Sequence, residues 1–235
     1  MIKPNDIIGF FPAAGAGGST LDSSREIADQ LGCALLELPN PPTIDDFTTG
    51  RWYNGLEHIV RAQIAKDGNS RLVLVGHCMG GLSAFTAASL LRSTSPDVRV
   101  GALVINTPYP GRDGRIPTMS ALSDSAIGEL LGAEGFPQEL IDDVDMLEEV
   151  ATNLRAEATV ADRVAGAIHE RTDCVPLHAL STRGDPFITP GDCEGWSRRS
   201  CGLFGWTICE GGHAINEASA PVLRRTIMSL FGELA

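Results

Sequence analysis

The sequence lacks any apolar run long enough to cross a membrane, and its first residues do not form the charged segment and apolar core of a secretory signal. Positive charge is also scarce, since 18 lysines and arginines stand against 30 aspartates and glutamates, for a formal net charge of −12. Nucleic acids and anionic membrane surfaces both require a basic face. We therefore expect a cytoplasmic protein that binds neither nucleic acid nor membrane.

The sequence also has no cysteine pair with the spacing of a zinc site. Its six cysteines include no Cys-x-x-Cys pair and no cluster with histidine. The even count would fit disulfides, but 235 residues with 43% hydrophobic content can bury a core without them. We therefore expect one domain over residues 1–235, no bound metal, and cysteines that are mostly small core residues.

Strand and helix patterns alternate along most of the chain, which predicts an α/β fold with a doubly wound, mostly parallel sheet. The predicted strands are 7–11, 34–38, 71–75, 98–105, 175–181 and 203–209. The helices predicted between them are 20–31, 45–65, a helix after residue 78 that ends near Arg92, 190–198 and 218–233.

Residues 113–170 interrupt this alternation with helical patterns alone. The patterns cover 118–132, 136–148 and 150–168, and none of the segment has good strand character. Because ligands bind at the carboxyl ends of the strands in open α/β sheets, we expect the segment to form a helical lid subdomain over that edge. A helical packing layer without any gating role is the alternative.

Residues 76–80 read Gly-His-Cys-Met-Gly and directly follow the apolar run 72–75. The pattern G-x-S-x-G after a strand and before a helix is typical of a nucleophile elbow, which exposes a reactive side chain above a parallel sheet. Here the central residue is Cys78, so the pattern predicts a thiolate nucleophile. The alternative is a buried structural cysteine in a strand-to-helix turn.

A thiol nucleophile needs a base and a group that orients the base. His213 lies in Glu-Gly-Gly-His-Ala just after the last predicted strand, at the same sheet edge as the elbow, although a surface-loop histidine would read the same way. The other histidines lie in a predicted helix (His58), late in the helical segment (His169), in a predicted strand (His178) or beside the cysteine but expected to point elsewhere (His77).

The orienting acid is expected just after a strand. Asp185 follows the strand 175–181 directly, and Pro186 prevents a helical continuation there. Asp192 is the second choice, because its setting in Thr-Pro-Gly-Asp is more typical of a carboxylate that caps a helix. The order nucleophile, acid, histidine is also that of α/β hydrolases.

An oxyanion hole requires two backbone amides. We expect one from Met79, the residue after the nucleophile, and the other from the loop near Ala13, Ala14 and Gly15. That loop could instead be a plain strand-to-helix turn. Its glycines lack the Gly-Lys-Ser/Thr ending of a phosphate-binding loop and the partner acid of a dinucleotide site.

Together these features resemble the thioesterases of polyketide and nonribosomal peptide assembly lines, especially the free-standing type II kind. The resemblance spans nearly the whole chain, with points of likeness at 11–15 (Phe-Pro-Ala-Ala-Gly), 76–81 (Gly-His-Cys-Met-Gly-Gly), 152–157 (Thr-Asn-Leu-Arg-Ala-Glu), 184–186 (Gly-Asp-Pro) and 211–213 (Gly-Gly-His).

The resemblance implies an α/β-hydrolase fold with a helical lid, no bound cofactor, and a substrate presented on the phosphopantetheine arm of an acyl or peptidyl carrier protein. It implies Cys78 as nucleophile, Asp185 as acid, His213 as base, and Ala14 and Met79 as oxyanion donors. We expect a monomer.

Three departures from the family accompany the resemblance. Cys78 stands where the family mostly has serine, and Ala13 replaces a histidine common after the proline. Asn106 follows the strand 98–105, where thioesterase domains fused to synthases often place the triad aspartate, and this favours Asp185 as the acid. An alternative explanation for Cys78 is that an experimenter replaced a native serine at this position by cysteine.

Other functions are compatible with the same residues. A dienelactone-type hydrolase also has a cysteine elbow, an acyltransferase acting in trans would share the triad, and a non-catalytic module could bind the carrier protein alone. The thioester-to-thioester exchange at a cysteine would retain the activation of the acyl group. This permits release by aminolysis or cyclisation as well as by hydrolysis.

Overall fold

The structure, a computed structural model, describes residues 2–3, 5–14, 18–67, 70–109, 119–133, 136–170 and 175–234. Within these residues, six strands form one sheet in the order β2-β1-β3-β4-β5-β6, and every neighbouring pair runs parallel. They are β1 (Ile7–Phe11), β2 (Ala34–Glu37), β3 (Arg71–His77), β4 (Arg99–Ile105), β5 (Val175–Thr182) and β6 (Ser200–Cys209). The predicted α/β-hydrolase fold with a parallel sheet is confirmed.

Helices connect the strands on both sides of the sheet. They are α1 (Gly18–Leu31), α2 (Ile44–Thr48), α3 (Arg51–Asp67), α4 (Met79–Thr94), α5 (Asp124–Ala133), α6 (Gln138–Asp142), α7 (Val144–Glu170), α8 (Pro190–Cys193) and α9 (Ala220–Glu233). Short 3-10 turns lie at Met119–Ala121 and Glu194–Arg199. The helix predicted over 190–198 is therefore α8 followed by a 3-10 turn.

The single helix predicted over 45–65 is wrong, because the structure has α2 and α3 in its place. Thr43 caps α2 by accepting a hydrogen bond from the Asp46 N–H at 3.0 Å. Gly50 has φ of +76°, in the left-handed region that ends helices. The chain turns at this glycine, and α3 begins at the next residue.

The helical segment before β5 also differs from prediction. The helix predicted over 136–148 is divided at Asp143 between α6 and the start of α7, and α7 continues without a break through the helix predicted over 150–168. Asp143 begins α7, because its Oδ1 accepts hydrogen bonds from the N–H groups of Asp145 and Met146, each at 3.1 Å. No helix-breaking residue follows before residue 150. Residues 113–118, the first part of the predicted lid, lie outside the described residues.

Successive side chains of β3 point to opposite faces of the sheet, so the core is divided between the two faces. Leu72 and Leu74 point to the face covered by α3, α4 and the second half of α7, whereas Val73 and Val75 point to the face covered by α1 and α9. A buried strand with apolar residues on both faces is the expected centre of a parallel sheet. The elbow follows directly from this central strand.

The two halves of α7 belong to different apolar clusters. Val164 and Ile168 of the second half pack in the main core with α4. Leu154 of the first half packs with Ile127 of α5 in a small separate cluster, which Ala14 contacts from the loop after β1. The first half of α7 and α5 therefore form a helical layer with its own core beside the carboxyl end of β1.

Candidate active site

Cys78 occupies the turn between β3 and α4 in a conformation that few side chains adopt. Its φ and ψ are 53° and −118°, and its N–H donates a hydrogen bond to the carbonyl of Ile105 at 2.8 Å. A non-glycine residue with positive φ at a strand-to-helix turn is the strained geometry of a nucleophile elbow. The side chain is 8% exposed, so the sulfur lies at the base of the site.

Close backbone approach around the elbow requires glycine at two positions. A Cβ on Gly76 would lie 2.1 Å from the carbonyl oxygen of Gly80, and a Cβ on Gly80 would lie 2.3 Å from that of Phe11. Real Cβ atoms do not make such contacts, so the start of α4 presses directly on the loop after β1. This contact brings the loop that contains Ala14 beside Met79.

The two residues expected to supply the oxyanion amides therefore lie on adjoining segments. Met79 is the first residue of α4, and Ala14 follows β1 in the described part of its loop. Gly15, the remaining residue predicted for this loop, lies outside the described residues. The N-terminus of α4 adds the partial positive charge of a helix end near the sulfur.

Asp185 and His213 meet as the sequence predicts. The Nδ1 of His213 lies 2.8 Å from Oδ2 of Asp185. The other carboxylate oxygen accepts hydrogen bonds from the N–H groups of Phe187 at 2.8 Å and Ile188 at 3.0 Å. Because the carboxylate accepts at Nδ1, that nitrogen carries a proton. Nε2 is left for Cys78, whose sulfur hydrogen-bonds the imidazole.

The charge state of His213 depends on these two partners. Burial lowers the pKa of the ring, but hydrogen bonds to Asp185 and Cys78, together with their negative charges, raise the pKa of His213 to about 10. The imidazolium form is therefore favoured at neutral pH.

Three further cysteines have surroundings that differ from those of Cys78. Cys33, Cys193 and Cys209 are free, and burial raises the pKa of the first two thiols to about 11 and raises that of the third as well. They are therefore thiols at neutral pH. Cys174 lies outside the described residues.

A pocket of about 430 Å³ adjoins the elbow, within the usual range for small-molecule sites. Met79 and Ala13 line it on the elbow side, Val160 and Val164 line it from α7, and prolines of the loop after β2 complete a mostly apolar wall. The side-chain amide of Asn40 donates to the carbonyl of Pro12 at 2.9 Å and fixes that loop against the loop after β1.

Asp192, the second choice for the acid, caps α8 instead. Its Oδ2 accepts hydrogen bonds from the N–H and the hydroxyl of Thr189, each at 2.7 Å. Among the remaining histidines, His178 bonds Glu233 at 2.7 Å and does not contact the elbow. The sequence argument that separated Asp185 from Asp192 therefore agrees with their positions.

The contact between His77 and His213 is missed by sequence reasoning. Its Nε2 lies 2.8 Å from the backbone carbonyl of His213, and the two rings are 4.5 Å apart between centroids. The period of two in β3 places His77 on the same face as Val73 and Val75, which is the side of the sheet where Ile215 packs. Strand parity was thus the signal that could have located it.

Two features are absent from the part of the chain that the structure describes. It contains no group of three or more histidine, cysteine, aspartate or glutamate side chains that could hold a metal ion. No helix within it is both long and apolar enough to cross a bilayer.

A strained residue at a strand-to-helix turn, with a bonded His–Asp pair from later strand ends, is the arrangement of the α/β hydrolases. A model of the family described as "Alpha/beta hydrolase family" matches residues 10–225. The chain belongs to this family.

Individual relatives are distant. The chain is 24% identical over 204 residues to the gramicidin S biosynthesis protein GrsT of Aneurinibacillus migulanus. The aligned region covers 86% of this chain and 79% of GrsT. It is also 27% identical over 143 residues to the AMB antimetabolite synthetase AmbE of Pseudomonas aeruginosa. That aligned region covers 60% of this chain but only 7% of AmbE.

Among solved structures, the type II thioesterase BorB from the borrelidin biosynthetic cluster is similar, with a TM-score of 0.64 and 24% identity. The alignment covers 97% of this chain and 92% of BorB. At this identity the likeness shows a shared fold.

Proposed function

We propose that the protein is a thioesterase that acts on acyl or peptidyl thioesters carried on the phosphopantetheine arm of a carrier protein. The observation that carries the proposal is Cys78 at the elbow, hydrogen-bonded to His213, which is bonded in turn to Asp185. Two similar proteins support the substrate class, since GrsT belongs to gramicidin S biosynthesis and BorB is a type II thioesterase.

In the proposed acylation, the Cys78 sulfur attacks the thioester carbonyl carbon and a new carbon–sulfur bond forms. The backbone N–H groups of Ala14 and Met79 stabilise the tetrahedral oxyanion. The bond to the pantetheine sulfur then breaks, and the proton held by His213 passes to the departing thiolate. Asp185 keeps the imidazole in the tautomer and orientation that this transfer requires.

Deacylation in this proposal starts from an acyl-cysteine thioester, which is more activated than the ester of a serine enzyme. Water attacks the carbonyl carbon while His213 takes one of its protons. The bond to the Cys78 sulfur then breaks, the free acid leaves, and His213 returns the proton to that sulfur. An amine from another molecule gives an amide, and an amine within the acyl chain gives a ring. We propose release by hydrolysis or by aminolysis or cyclisation.

Intact-protein mass spectrometry after incubation with an acyl-pantetheine thioester tests the proposal. We expect a mass increase equal to the acyl group, located at Cys78 by peptide mapping, that disappears with time as product forms. Cys78→Ala should show no adduct. Asp185→Asn should form the adduct about 10²- to 10⁴-fold more slowly, because the imidazole loses the partner that orients it.

The products distinguish the remaining possibilities. Free acid alone from the carrier-bound substrate contradicts release by aminolysis or cyclisation. Amide formed in competition with water supports aminolysis, and amide formed with no free acid identifies an acyltransferase. An adduct at another residue, or none with a panel of acyl chains of increasing length, contradicts the proposed thioesterase and favours a carrier-binding module.

A further inference from the structure

The backbone carbonyl of His213 accepts two hydrogen bonds from buried side chains. The Nδ2 amide of Asn106 donates to it at 2.7 Å, and the Nε2 of His77 donates at 2.8 Å. Since a carbonyl can only accept, the proton of His77 must be on Nε2. Both donors are 3% exposed or less, so water does not compete with them.

The two preceding carbonyls of the same loop are held in a similar way. The hydroxyl of Thr182 donates to the carbonyl of Gly212 at 2.6 Å, and the N–H of Gly184 donates to that of Gly211 at 2.9 Å. Three consecutive carbonyls are therefore bonded to groups at the carboxyl ends of three neighbouring strands, β3, β4 and β5. We call these bonds the carbonyl clamp.

The sequence of the loop explains why such a clamp is needed. His213 is preceded by two glycines, and Gly211 has φ of +144°, which other residues rarely adopt. Glycine loses more conformational freedom on folding than any other residue, so a Gly-Gly segment does not hold the next residue in place by itself. Hydrogen bonds from outside the loop must supply that rigidity.

The orientation of Asn106 is fixed by its neighbours. Its Oδ1 accepts a hydrogen bond from the N–H of Thr182 at 2.9 Å, so its Nδ2 faces the loop carbonyls. An aspartate there would place a carboxylate oxygen against the carbonyl oxygen of His213 and repel it. Asn106 thus supports the backbone of the base, whereas Asp185 bonds the ring.

We propose that His77 and Asn106 are positioning residues that hold the His213 carbonyl so that the ring Nε2 stays within reach of the Cys78 sulfur. This inference rests on the proposed pairing of Cys78 and His213, although it does not depend on the identity of the thioester. A misplacement of about 1 Å in a reacting group can cost about 10²-fold in rate. Removal of one donor should therefore slow the chemistry without weakening substrate binding.

The test compares His77→Leu and Asn106→Asp with a matched control, His178→Leu. His178 is also a mostly buried strand histidine with a hydrogen bond, to Glu233, but it does not contact His213. His77→Gln is the conservative variant, because its amide can donate to the same carbonyl. Asn106→Ala replaces Asn106→Asp if the aspartate variant does not fold, as judged by circular dichroism and thermal denaturation.

The first readout is the rate at which iodoacetamide alkylates Cys78 at pH 7, as measured by peptide mapping. The sulfur displaces iodide and forms a carbon–sulfur bond, and its rate reports the thiolate that His213 supports. We expect His77→Leu and Asn106→Asp to slow this reaction about tenfold or more relative to His178→Leu. His77→Gln should keep most of the wild-type rate.

The second readout is steady-state turnover of an acyl-pantetheine thioester. We expect kcat to fall by about 10- to 100-fold in His77→Leu and Asn106→Asp while KM stays near the wild-type value. Equal alkylation rates and equal kcat in His77→Leu and His178→Leu would overturn the inference, as would a change in KM alone. If the wild type turns over no thioester, the proposed function fails, and the alkylation comparison still decides the inference.

Discussion

His77 and His213 are adjacent imidazoles, of which the structure keeps the first neutral and the second positively charged at neutral pH. Burial, followed by the proximity of His213, lowers the pKa of His77 to about 3, whereas Asp185 and Cys78 raise the pKa of His213 to about 10. Two neighbouring cations 4.5 Å apart would repel each other. The neutral His77 can therefore donate to the backbone of the charged ring without opposing its charge.

The depressed pKa of His77 predicts a loss of stability in acid. The unfolded chain binds a proton at this histidine below about pH 6.5, whereas the folded chain does not do so until about pH 3. The contribution of His77 to stability is thus complete above pH 6.5 and is lost as the pH falls toward 3. The slope for one proton is at most about 1.4 kcal/mol per pH unit.

Urea denaturation of the wild type and His77→Gln at a series of pH values measures this effect. We expect the difference in their free energies of unfolding to shrink between pH 6.5 and 3. His58→Gln, a change at an exposed ring in α3, is the control and should follow the pH dependence of the wild type. A constant difference between wild type and His77→Gln would contradict the prediction.

Sequence reasoning at the residue scale located the chemical groups but not their supports. Asp185 and His213 were found because they follow strands, and strand ends meet at one edge of a parallel sheet. Asn106 was noted only as a departure from a family pattern. Its contact with the His213 carbonyl joins residues 107 positions apart, which no local pattern encodes.

At the scale of elements, the elbow depends on how closely α4 approaches the loop after β1. A Cβ on Gly80 would lie 2.3 and 2.4 Å from the carbonyl oxygens of Phe11 and Pro12, and these are backbone atoms that cannot turn away. We expect Gly80→Ala to lower the free energy of unfolding by about 3 kcal/mol and to disturb the oxyanion side. Chemical denaturation and the acylation assay measure the two effects.

Gly166→Ala is the matched control for this prediction. Gly166 lies within α7, and a Cβ there would meet nothing within 4 Å. The substitution should raise stability by about 0.5 to 1 kcal/mol, since alanine is the better helix former. Equal effects of Gly80→Ala and Gly166→Ala would mean that the approach of α4 to the loop does not matter.

Element boundaries were the least predictable part of the fold. The strands follow from short apolar runs between turn residues, and they agree with the structure within a few residues. The break at Gly50 and the continuity of α7 through residues 148–150 were missed. Both depend on caps and on packing against other elements, which compete with the local apolar period.

At the scale of the whole molecule, Arg71 joins three parts of the fold at the edge opposite the site. Its guanidinium bonds the carboxylate of Asp6, which precedes β1, and the carbonyl of Phe231 in α9. The side chains of Arg71 and Asp6 are 3% and 0% exposed. Loss of one partner leaves the other as an unpaired buried charge.

We expect Arg71→Met to lower the free energy of unfolding by about 3 to 5 kcal/mol, as measured by urea denaturation. The double variant with Asp6→Leu should recover much of this loss, because no buried charge remains. Arg25→Met, which breaks exposed ion pairs with Asp22 and Glu37, is the control and should leave stability nearly unchanged. No recovery in the double variant would contradict this explanation.

The sequence by itself determined the alternation of strands and helices, the elbow at Cys78 and the strand-end positions of Asp185 and His213. These features depend on periods, glycines and turns within a few neighbouring residues. The tertiary structure decided which groups bond the backbone of His213, how α7 divides between two cores, and where the pocket lies. His77 and His213 are 136 residues apart, and only the order of strands in the sheet brings their groups together.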